Sequence, residues 1–148
     1  MKALAYIAGA ALLAVIPSAL AEDSMSVEPG LWRTSTVMTM SMMPVPQSQQ
    51  EEQCITREDA TFDPDDLMSE AEECTVDSLE QSSTSMTFSM TCLMEGGVSM
   101  AGTGSFETAN RGRSMSGVID FAGEVPGFSD PLTMNIEMSG ERIGDCDV

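Results

Sequence analysis

Three kinds of side chain in this sequence are able to do chemistry: thioethers, thiols and carboxylates. The thioethers stand out first, because 14 methionines occur in 148 residues and Met38, Met40 and Met42 fall at alternate positions of a single run. Alternate residues of a strand share one face, and clustered thioethers are soft ligands suited to Cu(I). Copper binding or transfer, or reversible sulfur oxidation, is therefore one chemistry the run allows. Its competitor is plainer. Methionine also fills irregular cores, and the same alternation carries Trp32, Phe88, Phe106 and Ile136.

The four cysteines, Cys54, Cys74, Cys92 and Cys146, form no Cys-x-x-Cys pair and have no histidine to join them, which argues against zinc. An even number of cysteines in an exported chain implies two disulfides. Of the three connectivities, Cys54 with Cys74 and Cys92 with Cys146 is favoured: the first brackets one acidic insertion, and the second ties the last segment to a central strand.

Carboxylates are abundant, with 24 Asp and Glu against 6 Lys and Arg. In such a chain two acids fall close together by number alone, so a carboxylate pair of the hydrolase kind is weakly indicated. No inward-facing position of the strands described below carries one. The acidic run from Glu58 to Glu73 lacks the Asp-x-Asp-x-Asp-Gly order of a calcium loop and reads as a solvated face. A formal charge of −18 disfavours nucleic acid and anionic headgroups.

The N-terminus sets the compartment. Lys2, an apolar run from Ala3 to Ile16, and the small-residue end Ala19-Leu20-Ala21 read as a signal peptide over residues 1–21. The run is too short for a membrane-spanning helix. Residues 22–148 then form one domain in the periplasm or outside the cell, with no membrane span and no resident cofactor. The only Lys and the only Tyr, Lys2 and Tyr6, lie before the cut, and the sequence has no His. A Ser-His-Asp arrangement, a Schiff-base lysine and a phenolic acid are thus excluded, and the chain is expected not to be an enzyme.

The elements that position these groups alternate with period two. Trp32 to Met42, Met86 to Cys92, Val98 to Phe106, Met115 to Phe121 and Leu132 to Met138 each place apolar residues on one face and Ser, Thr, Asp, Glu or Asn on the other. This is the pattern of an antiparallel sheet with one wet face. Turns fall at Glu95-Gly96-Gly97, at Asn110-Arg111-Gly112 and between Gly123 and Pro131, joining the runs from Met86 onward as a meander. Met43 to Gln53, with Pro44 and Pro46, reads as a loop. Arg57 to Glu73 reads as an acidic insertion with a short helix near Pro64 to Glu70, capped by Asp63; a further strand spans Thr75 to Leu79. Gly102 and Gly104 within a strand suggest strong curvature or a bulge. The fold expected is all-β: a strongly curved antiparallel sheet or partly open up-and-down barrel of about 6–8 strands. On its apolar face Trp32, Met38, Met40, Phe88, Met90, Phe106 and Phe121 are candidates to line a site for an apolar small molecule or to meet an envelope protein.

Several motifs recur in a known order: Glu28-Pro29-Gly30-Leu31-Trp32, Gln53-Cys54-Ile55-Thr56, Cys74-Thr75-Val76, Met90-Thr91-Cys92, Gly102-Thr103-Gly104, and Gly140-Glu141-Arg142-Ile143-Gly144-Asp145-Cys146. With them the chain resembles the small secreted proteobacterial proteins catalogued as the domain of unknown function numbered 3617. The resemblance implies export, two disulfides and a mostly antiparallel β fold, and it carries over no activity and no ligand.

Overall fold

The computed structural model describes residues 24–63 and 73–147. Seven strands run β1 (Gly30–Met40), β2 (Met43–Ile55), β3 (Cys74–Gln81), β4 (Ser85–Met94), β5 (Val98–Ala109), β6 (Ser114–Gly123) and β7 (Leu132–Gly144). They form one antiparallel sheet in the order β2-β1-β7-β6-β5-β4-β3. β3 to β7 are the expected meander, and β1 returns beside β7. β2 and β3 are the two edges, so the sheet is open. No described residue is helical, and the expected helix near Pro64 to Glu70 falls outside the described residues, as does the signal sequence.

Two expectations are corrected here. The segment from Met43 is a strand: β2 pairs with β1 from Gly30↔Ile55 to Met40↔Met43. All of its residues but Ile55 are exposed. A strand with no buried face has no period-two signature, and proline is tolerated on an edge where its missing N–H faces solvent. The hairpin turn is Ser41-Met42, so Met42 leaves the strand.

The second correction concerns only the bulge alternative at Gly102 and Gly104. No shift of register occurs in the β4–β5 or β5–β6 pairings, so there is no bulge. The glycines are seats for rings. Phe88 pairs with Gly104, Phe106 with Gly117 and Phe121 with Gly102. A Cβ on any of these three glycines would be driven into the ring of its partner. Each phenylalanine lies across a neighbouring strand, and the apolar layer stays thin.

One sheet cannot bury its own face, so the chain lays two extended segments over it. Val27 N–H donates to Ala60 O at 2.8 Å and Phe62 N–H to Met25 O at 2.9 Å, with a bridge between Ser26 and Thr61. Under this strap Met25 packs on Met86, Phe88 and Phe106, and Val27 and Ala60 pack on Trp32. Phe62 touches both groups. Trp32, Met25 and Met86 are essentially inaccessible; burying a large apolar side chain contributes about 1.5–3 kcal/mol. The Phe88 and Phe106 rings stack with centroids 6.2 Å apart, within the range of favourable offset pairs.

Replacing Gly104 by Ala is expected to destabilise the fold by about 1–3 kcal/mol, the usual cost of overpacking. Gly144→Ala meets nothing within 4 Å and serves as the near-neutral control. Urea unfolding of both variants checks this.

Candidate functional site

The most specific motifs of the sequence converge at one end of the sheet. Trp32 and Arg142 are cross-strand partners. The Trp32 indole donates to Glu28 O at 2.9 Å. Arg142, 13% exposed, lies against the Glu28 carboxylate at 3.4 Å; it donates to Pro29 O at 2.8 Å and also pairs with Asp145. Arg113 holds the other oxygen of Glu28 at 3.0 Å. Gly30, at φ 150°, has no room for a side chain because Arg142 and the Gly144 carbonyl occupy the space. In the turn that follows β5, Gly112 (φ 80°) accepts the Glu28 N–H at 2.7 Å through its carbonyl. This knot fastens the strap to the sheet and uses up the charges that compose it.

The cysteines obey the same geometry, and the expected pairing is corrected. Cys54 is bonded to Cys146 and Cys74 to Cys92. Cys54 sits on edge strand β2 and Cys74 opens β3 at the opposite edge, so those two cannot meet. Cys74 and Cys92 are direct partners in the β3–β4 register, while Cys54–Cys146 joins β2 to the chain beyond β7 across β1. Each edge strand is therefore stapled to the sheet. On the loop-entropy relation these closures, of 92 and 18 residues, are worth about 4.5 and about 3 kcal/mol.

With the knot and the staples assigned to structure, what remains is the apolar face itself. Registered pairs read across it in rows. One row runs Met43, Met40, Met134, Phe121, Gly102, Met90 and Val76, one residue from each strand. The next runs Met38, Ile136, Ile119, Gly104, Phe88 and Leu79. Strands lie about 4.8 Å apart, so the seven-membered row spans roughly 29 Å. Met43 is exposed, and Met40, Met134, Phe121, Met90 and Val76 are only half-buried.

The seven lining candidates therefore divide. Trp32, Phe88 and Phe106 are buried in the strapped core; Met38, Met40, Met90 and Phe121 are half-buried. The thioether run divides as well. Met38 faces Ile136 and Met40 faces Met134, whereas Met42 stands in the turn, 57% exposed. Met43 and Met134 were missed by sequence reasoning. Met134 was legible as an inward residue, but its place beside Met40 depends on β7 adding to β1, and Met43 had no strand signal at all.

The opposite face carries Ser, Thr and acids, with an open depression of about 510 Å³ between Thr39, Thr103, Asp120 and Asn135. Asn135 donates to Asp120 there at 2.7 Å. No polar or charged side chain among the described residues is buried, and no described group of His, Cys, Asp or Glu has a metal-binding arrangement.

Fold and site together define a disulfide-stapled, open, single-sheet β domain with a half-covered apolar face. The chain belongs to the family described as protein of unknown function (DUF3617), whose model matches residues 27–146. Neither a curated protein nor a solved structure matches it.

Replacing Arg142 strips the Glu28 carboxylate and the Pro29 carbonyl of a shared donor. Arg142→Lys is expected to lose about 2 kcal/mol, because an ammonium cannot reproduce the planar fork; thermal unfolding of this variant beside Arg111→Lys, at an exposed turn position, checks it.

Proposed function

We propose that this is a non-catalytic binding module of the cell envelope, periplasmic or secreted, whose ligand is an apolar chain laid across the sheet. The observation that carries the reading is the row Met43, Met40, Met134, Phe121, Met90 and Val76: apolar side chains on six strands, none of them buried, beside the strapped core in which Met25, Trp32, Met86, Phe88 and Phe106 are sealed. A strip roughly 29 Å long, flanked by the half-buried Met38, Ile119 and Ile136, suits an extended acyl or isoprenoid chain better than a compact ring. Unbranched thioether side chains adapt their rotamers to such a ligand. Paired cysteines agree with an oxidising compartment. The absence of His throughout the sequence, and of Lys and Tyr beyond Tyr6, supports a role in holding rather than transforming.

Native mass spectrometry of the protein purified from its own host tests this. The expected result is a discrete adduct of lipid-like mass that disappears in Phe121→Asp while circular dichroism still reports an intact sheet. Wild-type protein free of any adduct, or an adduct equally abundant in the variant, defeats the reading.

A further inference from the structure

The β2-β1-β7 end of the row differs in chemistry from the rest, for it consists only of thioethers. Met43 and Met40 are the closing pair of the β1–β2 hairpin, and Met40 is also the register partner of Met134. Register partners point to the same face, with Cβ atoms about 4.5–5.5 Å apart. Three sulfurs on flexible three-bond side chains thus start from adjacent positions on three neighbouring strands. Each side chain is long enough to swing its sulfur toward a common point above Met40.

Core filling does not account for this group. Met43 is 38% exposed on an edge strand whose residues are all exposed except Ile55 at its far end, so it has little to fill. Met40 and Met134 are half-buried, and none of the three belongs to the strapped core clusters. Met42 stands in the turn beside them, outside the row.

We propose that Met40, Met43 and Met134 form a trigonal all-thioether site for a soft monovalent cation, with Cu(I) as the ion in question. Neutral thioethers select soft ions over Zn²⁺ or Ca²⁺, which prefer nitrogen, thiolate or oxygen donors. They carry no proton to be displaced, so the site needs no base. The ion keeps its single charge, which a strongly acidic chain (net −18) attracts at long range. The same side chains that line one end of the apolar row thereby serve a second ligand. The site is independent of whether an acyl chain binds.

The test is anaerobic titration of the full protein with Cu(I) against bicinchoninate as competing chelator. Expected is retention of one Cu(I) per chain, at least tenfold weaker in each of Met43→Leu and Met134→Leu and unchanged in Met42→Leu. Leucine conserves side-chain volume, and Met43 lies at an exposed position, so that variant folds and isolates the sulfur. Complete surrender of copper by the wild type overturns the proposal. So does undiminished retention in the Met43→Leu and Met134→Leu variants, or a loss in Met42→Leu as large as theirs.

Discussion

A single sheet with one oily face has to find something to put over it, and this chain has no described helix to spare. It uses two short extended pieces instead, residues 24–28 on the way into β1 and residues 60–62 on the way from one edge of the sheet to the other. Their hydrogen bonds to one another satisfy backbone groups that would otherwise face the apolar layer, and Met25, Val27, Ala60 and Phe62 supply the contacts. Two pieces cover only part of seven strands. Where the strap reaches, Trp32, Phe88 and Phe106 are sealed; across the row from Met43 to Val76 the same face is left half open.

Keeping the strap in place accounts for two of the arginines, Arg113 and Arg142. Glu28 lies between Arg113 and Arg142, and Arg142 also engages Pro29 and Asp145. Isolated surface ion pairs contribute little. Here the pairs share one carboxylate, one guanidinium is largely shielded, and the Pro29 carbonyl accepts a further Arg142 N–H, so geometry rather than charge count gives them weight. The disulfides act on the other weakness of an open sheet, its two free edges. One bond holds β3 to β4 and the other carries the end of β2 across to the chain after β7.

Much of this was written plainly in the sequence. Five strands could be read from alternation, because each buries one face and wets the other, and the turns at Gly96-Gly97 and Asn110-Arg111-Gly112 marked the meander correctly. Hidden were the features that depend on partners far along the chain. β2 buries neither face, so hydrophobic pattern cannot distinguish it from a loop. The disulfide pairing followed sequence neighbourhood in the expectation but follows strand order in the structure, where Cys54 and Cys74 occupy opposite edges. Of the candidate site, the inward direction of Met38, Met40 and Phe121 was legible; which residues stand beside them was not, since register between strands is a long-range property.

The rings seated on glycines also bear on how the sheet finds its alignment. Sliding β5 past β6 by two residues keeps every apolar side chain on the correct face, so alternation alone does not forbid it. In one direction Phe106 would meet Met115 and Gly104 would face Gly117; in the other Phe106 would meet Ile119 and Gly102 would face Gly123. Either slip crowds two bulky groups at one point and opens a void at another. Pairs of unequal size, large against nothing, thus act like the teeth of a key, admitting a single alignment of strands that are otherwise near copies of one another.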